Sequence, residues 1–204
     1  MSPARVVVID SGGANLASLG YALDRLATPH VMSSDPAVIA GAERVILPGV
    51  GHAGAIMSRL EGLGLVPVIR ALRCPVLGIC LGMQILFEHS AEGDTRTLGV
   101  IAGNIAALQP ASSLSVPHMG WNTLKILRPD PLLHGFADDA WFYFVHGYYA
   151  SAASAATLAT VDHGGELAAV VRQNNFWGVQ FHPERSAQAG AQLLRNFLER
   201  LPCN

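Results

Sequence analysis

The chain has 204 residues, a length that fits one compact domain and leaves little room for a second independent core. Hydrophobic residues make up 50% and charged residues only 14%, which excludes an intrinsically disordered chain. Its 13 basic and 15 acidic residues give a net charge of −2, so no basic field is present to attract nucleic acid or an anionic membrane. We expect one domain over residues 1–204 that binds small molecules or other proteins.

Neither a membrane span nor a secretory signal is predicted. No apolar segment reaches the roughly 18 uninterrupted residues of a spanning helix. Arg5 is followed by four apolar residues and then by Asp10, which is too short a run for a secretory signal. The cysteines Cys74, Cys80 and Cys203 cannot all pair, and their spacing matches neither a CxxC pair nor a zinc site. We expect a cytoplasmic protein with at least one free thiol, no metal and no cofactor.

The first half alternates short β-branched runs with helical patterns, which is typical of a parallel α/β sheet. Strands are predicted at residues 5–10, 30–33, 44–48 and 75–79. Small residues at 11–14 are predicted to form the first turn, and Asn15 is predicted to cap a helix with Leu16, Leu19, Leu23 and Leu26 on one face. Further helices are predicted from Asp35-Pro36, from the glycine loop after residue 48 through about Arg73, and from Leu81 to His89.

After Glu92 the pattern changes to shorter runs separated by turn residues. Strands, some of them antiparallel, are predicted at residues 123–127, 141–146, 157–161, 167–171 and 176–181. A closing helix from about Ala187 to Leu201 carries Leu193, Leu194, Phe197 and Leu201 on one face. The sequence therefore predicts an α/β fold with a mixed, largely parallel sheet flanked by helices, of flavodoxin-like type.

Two long stretches, residues 97–124 and 141–161, contain no Asp, Glu, Lys or Arg. One interpretation is that both belong to an alanine-rich core. The other is that another protein covers part of this surface, because monomers seldom expose large contiguous apolar patches. Composition alone leaves both interpretations open.

The strongest local signal is Gly78-Ile79-Cys80-Leu81-Gly82, at a predicted strand-to-helix junction. A turn this sharp forces unusual dihedral angles on its central residue, and the flanking residues must be small to avoid collisions. The pattern is typical of a nucleophile elbow, here with sulfur in place of oxygen. A helix that begins next to the sulfur favours the thiolate. The alternative is a cysteine that is merely buried.

A thiol nucleophile usually needs a base, and the base needs a residue that orients it. Of the eight histidines, His182 stands out because it ends a predicted strand and precedes Pro183 and Glu184. The proline biases the backbone of His182 away from helix, and the carboxylate could hold one imidazole nitrogen. A lone histidine here would more often lie on the surface, but beside an elbow cysteine we predict the triad Cys80, His182 and Glu184.

Attack of sulfur on a carboxamide creates an oxyanion that needs N–H donors. The elbow supplies the N–H of Leu81. The loop Pro48-Gly49-Val50-Gly51 follows the neighbouring strand, and we predict that Val50 supplies the second N–H. Taken alone the loop would be an ordinary turn, and it lacks the Lys and Ser/Thr of a phosphate-binding loop.

On three motifs the chain resembles the class I (triad) glutamine amidotransferases over essentially its whole length. These motifs are GICLGMQ at 78–84, PGVG at 48–51 and HPE at 182–184. Within the class it is similar to the glutaminase subunits of imidazole glycerol phosphate synthase. That similarity is carried by IDSGGANL at 9–16, LPGVGHAG at 47–54, PHMGWN at 117–122, YFVHGYY at 143–149 and GVQFHPERS at 178–186.

The resemblance implies a role for each matching residue. Cys80 would attack glutamine and form a γ-glutamyl thioester, His182 would protonate the departing ammonia and activate water, and Glu184 would orient His182. Gln84 would contact the bound glutamine and Glu92 would meet its amino group. Backbone groups of Gly49, Gly51, Gly147 and Tyr148 would line the same pocket. From the bare pattern, Gln84 would be a helix-surface residue and Glu92 a solvated charge.

The resemblance also implies a heterodimer. A (β/α)8-barrel cyclase subunit would use the ammonia to make imidazole glycerol phosphate and an aminoimidazole carboxamide ribotide in histidine biosynthesis. PHMGWN and YFVHGYY lie in the two uncharged stretches, so both are candidates for the partner face. The predicted interface residues are His118, Met119, Trp121, Asn122 and Tyr143. Trp121 is the candidate anchor, and the competing interpretation places it in the core of this chain.

The chain departs from the family pattern at Gly147, where relatives more often have Ser or Thr, and at Arg185, where they often have Lys. The first departure argues against a side-chain hydroxyl contact to the substrate. Three alternatives remain: a flavodoxin-like cysteine hydrolase or deglycase, a scaffold subunit without activity, and a glutaminase that serves another ammonia acceptor. Gln84 and the HPE motif argue against the first, and an intact triad argues against the second.

Overall fold

The computed structural model describes residues 6–12, 16–110, 114–136 and 140–202. The features predicted at residues 13–15 and at Cys203 lie outside this part of the chain. The helices are α1 (Leu16–Arg25), α2 (Pro36–Ala40), α3 (Ala53–Gly62), α4 (Leu65–Ala71), α5 (Leu81–Gln84) and α6 (Ala187–Glu199). The strands are β1 (Val6–Ile9), β2 (His30–Ser33), β3 (Arg44–Gly49), β4 (Val76–Cys80), β5 (His89–Ser90), β6 (Thr95–Arg96), β7 (Asn104–Ala107), β8 (His118–Thr123), β9 (Lys125–Ile126), β10 (Trp141–His146), β11 (Tyr148–Ala150), β12 (Thr157–Asp162), β13 (Glu166–Gln173) and β14 (Phe176–Val179).

Within the described residues, the main sheet has eight strands in the order β2-β1-β3-β4-β14-β13-β12-β9. The pairs from β2 to β14 are parallel, and the pairs from β14 to β9 are antiparallel. Strands β8 and β10 form a separate antiparallel ribbon, and β11, β7, β5 and β6 form a small second sheet. The predicted mixed, largely parallel α/β fold is confirmed.

Side chains point alternately to the two faces of the main sheet along its central strands, so the core is divided between these two faces. On β1, Val6 and Val8 pack in the cluster that contains residues of α1 and α6, whereas Val7 and Ile9 pack against residues of α2, α3 and α4. All four residues of β1 and all five of β4 are buried, as expected for parallel strands covered on both faces. The predicted inner face of the closing helix is likewise buried.

Three predicted elements are wrong in extent. The helical sequence expected from the glycine loop through about Arg73 forms two helices, α3 and α4, which are separated at Gly64 with a φ of 68°. The helix expected from Leu81 to His89 ends at Gln84, and residues 85–87 form a tight, fully buried turn before β5. Ile85, Leu86 and Phe87 are three consecutive apolar residues, all buried, and such a short run fits a buried turn as well as a helix. The strand expected at 123–127 is interrupted, because β8 pairs with β10 whereas β9 pairs with β12. No helix in the described part of the chain is long and apolar enough to cross a membrane.

Candidate active site

Cys80 lies at the junction of β4 and α5 with φ 55° and ψ −113°, a strained conformation for a residue other than glycine. The two flanking glycines are required by contact. A Cβ atom on Gly78 would lie 2.6 Å from the carbonyl oxygen of Gly82, and one on Gly82 would collide with the carbonyl oxygen of Leu47. The spacing that predicted an elbow therefore has a steric cause in the fold.

The loop after β3 lies directly against this elbow. Gly49 pairs with Cys80 in the parallel β3–β4 register. A Cβ atom on Gly49 would lie 2.5 Å from the backbone nitrogen of Gly82, so the two backbones are in contact there. Gly51 adopts a φ of 97°, which favours glycine. Val50 and Leu81, the two predicted oxyanion donors, line the same pocket as Cys80.

His182 reaches the elbow because β14 is the parallel neighbour of β4, so the carboxyl ends of both strands lie at the same edge of the sheet. Its Nδ1 atom lies 2.8 Å from Oε1 of Glu184, and both side chains are almost completely buried. The backbone N–H of His182 donates to the carbonyl of Tyr143 at 2.9 Å, and Ser186 Oγ donates to the His182 carbonyl at 2.7 Å. His182 is therefore held in place by hydrogen bonds to its ring and to its backbone.

The charge state of His182 follows from its neighbours. Burial acts to lower the pKa of His182, but hydrogen bonds to Cys80 and Glu184 and the negative charges of those groups outweigh burial and raise it from 6.5 to about 10. At neutral pH the ring is an imidazolium that can donate from both nitrogens. One nitrogen is engaged by Glu184, and the hydrogen bond to Cys80 places an acidic proton beside the sulfur.

We expect His182 to remain protonated at pH 8, below its raised pKa, and Glu184→Gln to lower that pKa. Glutamine keeps an oxygen for Nδ1 but removes the negative charge that favours the imidazolium. An NMR titration of the His182 ring in both proteins measures the shift. Glu166→Gln is the control, because it removes an exposed carboxylate that is paired with Lys125 and is not among the groups that shift the pKa of His182. An unchanged titration of His182 in Glu184→Gln would contradict this account of its charge.

Cys80 and His182 open into a pocket of about 440 Å³, a size typical of small-molecule sites. Of the predicted substrate-contacting residues, Gly51, Gln84, Glu92, Gly147 and Tyr148 line it. Gly49 instead lies behind it, against the elbow backbone. The walls also include Pro117, Val145, His146 and Arg185. A buried thiol, an imidazolium and backbone loops converge on a space that fits one amino acid.

Residues 7–201 match the protein family described as Glutamine amidotransferase class-I. The chain belongs to this family. It is 54% identical over 194 residues to "Imidazole glycerol phosphate synthase subunit HisH" of Xanthomonas euvesicatoria pv. vesicatoria, covering 95% of this chain and 96% of the relative. It is 52% identical, with the same coverage, to the protein of that name from Xylella fastidiosa strain Temecula1. A solved structure titled "Crystal structure of glutamine amidotransferase" has the same fold, with a TM-score of 0.75, 20% identity and coverage of 96% and 97% of the two chains.

Gln84 of this class-I amidotransferase is 4% exposed, so the interpretation as a helix-surface residue is wrong. Its Nε2 donates to the carbonyl of Tyr148 at 2.9 Å and to Oε1 of Gln180 at 3.0 Å. Both donors of the amide are used within the protein, so Gln84 can offer a ligand only its acceptor oxygen. Glu92 is not a purely solvated charge either, because its Oε2 accepts from the N–H of Ala53 at 2.7 Å at the start of α3.

Several residues of the amidotransferase site were missed from the sequence. Gln180 is fully buried, and its Nε2 lies 3.9 Å from Sγ of Cys80. His146 and Val145 line the pocket beside Gly147. The usable signal was a polar residue inside an otherwise apolar strand pattern, which in a folded core must find hydrogen-bond partners. That signal applies to Gln180 in FWGVQF and to His146 in WFYFVH.

The predicted partner residues divide between two sides of the amidotransferase ribbon. Met119 is 61% and Trp121 49% exposed, so the core interpretation of Trp121 is wrong. Tyr143 opposes Trp121 in the ribbon, and their rings meet edge to face with centroids 5.9 Å apart. His118 is only 4% exposed and does not present its side chain to a partner, because neighbouring residues of a strand point to opposite faces. Asn122 is half-buried and bonds to the carbonyl of Asp162.

Proposed function

We propose that residues 1–204 form a single cytoplasmic glutaminase domain that supplies ammonia to the cyclase subunit of imidazole glycerol phosphate synthase. The observation that carries the proposal is the strained Cys80 held next to the buried His182–Glu184 pair in an amino-acid-sized pocket. The synthase assignment is supported by the identity of more than half of the aligned residues to relatives named as its HisH subunit.

The first half of the reaction forms a thioester. The Cys80 sulfur attacks the side-chain carbonyl carbon of glutamine, and the carbonyl electrons move to an oxyanion held by the N–H groups of Leu81 and Val50. His182 gives its proton to the nitrogen as the C–N bond breaks, and ammonia leaves. The γ-glutamyl group remains on sulfur, and the His182 ring is neutral.

The second half regenerates the enzyme. Neutral His182 takes a proton from water as the water oxygen attacks the thioester carbonyl. The C–S bond then breaks, releasing glutamate and returning the sulfur and the imidazolium to their starting states. The buried carboxylate of Glu184 holds the ring in orientation and stabilises its charge, which is the role of the acidic residue in such triads.

Polar groups around the pocket suit the two ends of glutamine. The Glu92 carboxylate supplies negative charge for the α-ammonium group, and its anchoring at the start of α3 fixes its position. The acceptor oxygen of Gln84 and backbone groups at Gly51, Gly147 and Tyr148 line the remaining wall. Since no atom lies within 4 Å of a Cβ built on Gly147, the missing hydroxyl side chain leaves this wall open.

The exposed face of the β8–β10 ribbon is the proposed docking surface for a (β/α)8-barrel cyclase. Met119, Trp121 and Trp141 lie exposed on it, within the two uncharged stretches. The ribbon leads directly to the pocket, because Pro117 precedes β8 and Val145 belongs to β10. A partner seated here would cover the pocket mouth and receive ammonia before it reached solvent.

The proposal is tested by mixing the chain with a cyclase subunit, glutamine and the phosphoribulosyl-formimino ribotide. We expect glutamate and imidazole glycerol phosphate to appear together in equal amounts, and the chain alone to hydrolyse glutamine slowly. Glutamate formation with no imidazole glycerol phosphate would assign the ammonia to another acceptor. Absence of glutamate under all conditions would reject the glutaminase itself.

Trp121→Ala is expected to weaken association with the cyclase by about 2 kcal/mol or more, because exposed tryptophans in apolar surfaces often dominate interfaces. Cyclase-stimulated hydrolysis falls with it. The melting temperature of the isolated chain stays unchanged, since half of this side chain is already in solvent. Titration calorimetry and thermal unfolding measure the two effects. Tyr21→Ala, which removes a more exposed aromatic side chain on α1, is the control and leaves association unchanged.

A further inference from the structure

Three histidines lie together on the core-facing side of the β8–β10 ribbon. His118 and His146 are opposite each other in register, and Nδ1 of His118 lies 3.0 Å from Nε2 of His146. The ring of His118 is stacked between those of His163 and Phe144, with centroid separations of 4.0 and 4.8 Å. His118 is 4% and His146 5% exposed, so both rings are fixed inside the protein.

The hydrogen bonds of these rings have one consistent direction. Nδ1 of His146 lies 2.8 Å from the carbonyl oxygen of Tyr148, which can only accept, so Nδ1 carries the proton. Nε2 of a neutral His146 then accepts, and the proton between the rings belongs to Nδ1 of His118. Nε2 of His118 in turn lies 3.4 Å from the amide nitrogen of Asn122. A chain of hydrogen bonds therefore runs from Asn122 through His118 and His146 to Tyr148.

Both rings must be neutral for this arrangement, and the surroundings favour the neutral form. Burial, followed by the nearby rings of His146 and His163, lowers the pKa of His118 to about 3. Burial also lowers the pKa of His146 to about 4, although its hydrogen bond to Tyr148 acts in the opposite direction. The three rings do not form a metal site, since no group of three such ligands in the described chain could hold an ion.

This chain of hydrogen bonds ends on atoms that shape the pocket. The Tyr148 carbonyl accepts both from Nδ1 of His146 and from Nε2 of Gln84. Gln84 continues to Gln180, whose amide nitrogen reaches Sγ of Cys80. Nδ1 of His146 and Nε2 of Gln84 thus both donate to the Tyr148 carbonyl. The position of this carbonyl determines whether the nitrogen or the oxygen of the Gln84 amide faces the pocket.

We infer that His118 and His146, both neutral and protonated at Nδ1, are positioning residues. His118 fixes the ring of His146, and His146 holds the Tyr148 carbonyl and thereby orients Gln84 toward glutamine. The part of this inference that concerns glutamine rests on the proposed function, whereas the protonation pattern does not. Neither ring contacts the reacting atoms, so the effect falls on substrate binding more than on the chemical step. This distinguishes the two histidines from His182.

The protonation pattern is tested by NMR of the full chain labelled with ¹⁵N-histidine at pH 7. We expect His118 and His146 both to show a protonated Nδ1 and an unprotonated Nε2. A protonated Nε2 on either ring, whether in the other tautomer or in a charged ring, would overturn the inference. This measurement needs no variant and no activity, so it decides the protonation of both rings even if every substitution at these positions unfolds the protein.

The functional consequence is tested in the complex with the cyclase, using two substitutions at one position. His146→Leu removes the donor to Tyr148, and we expect the KM for glutamine to rise about 3- to 10-fold with a smaller change in kcat. His146→Asn places an amide N–H near the former Nδ1 and should restore most of the loss. His89→Asn, at a partly exposed histidine paired with Asp94, is the control.

The outcomes separate the inference from the proposed function. A folded His146→Leu complex with the wild-type KM, or an Asn variant as impaired as the Leu variant, contradicts the positioning role. A wild-type complex that releases no glutamate rejects the proposed function instead. In that case the NMR result still establishes whether the histidine chain exists.

Discussion

Cys80→Ala and Cys80→Ser are expected to lower glutamine hydrolysis by about 10⁴-fold or more, the scale of losing a triad nucleophile. The same variants should leave synthesis by the cyclase intact when ammonia is supplied from solution. The reason is that the chemistry of this chain ends at free ammonia, so external ammonia bypasses it. Glutamate release and imidazole glycerol phosphate formation, measured in parallel with each nitrogen source, give both results.

Cys74→Ser is the matched control, because Cys74 is a second thiol that lies before β4 and lines no part of the pocket. It should keep nearly full glutaminase activity. Release of glutamate by Cys80→Ala would remove Cys80 from the nucleophile role. Loss of the ammonia-driven reaction in a folded Cys80→Ala complex would show that this chain does more than supply ammonia.

Much of the fold was predictable because local sequence and tertiary structure agree. The buried β-branched runs at β1, β3 and β4 leave few options other than a parallel sheet covered on both faces. The Gly-x-Cys-x-Gly spacing was informative for a steric reason, since both glycines lie where a side chain would meet backbone. A nucleophile at the end of one strand and a histidine just beyond the end of its parallel neighbour follow from the same topology.

The elements that could not be predicted depend on contacts between distant parts of the chain. No strand was predicted at PHMGWN, and which of its residues face the core depends on where β10 and β12 lie. His118 was therefore assigned to the partner face although it is buried, whereas Met119 and Trp121 are exposed. The end of α5 at Gln84 was hidden in the same way, because residues 85–87 are buried from every direction.

Val50→Pro is expected to lower glutamine turnover by 10²- to 10³-fold, or about 2.7 to 4 kcal/mol, which is typical of losing one oxyanion donor. Proline removes the N–H of residue 50. The position of residue 50 is fixed on one side by the contact of Gly49 with the elbow backbone and on the other by the φ of 97° at Gly51. Glutamine binding, measured by calorimetry in a Cys80→Ser background, should change much less, because the oxyanion forms only during the reaction.

Val50→Ala separates the backbone from the side chain, since it keeps the N–H and shortens only the side chain at the pocket wall. It should retain turnover close to that of the wild type. Circular dichroism and thermal unfolding establish that Val50→Pro is folded before its rate is interpreted. If the folded proline variant turned over as fast as Val50→Ala, the second oxyanion donor would have to come from a group other than the N–H of Val50. A rate loss matched by an equal loss of glutamine affinity would mean that the loop shapes the pocket and does not stabilise the oxyanion.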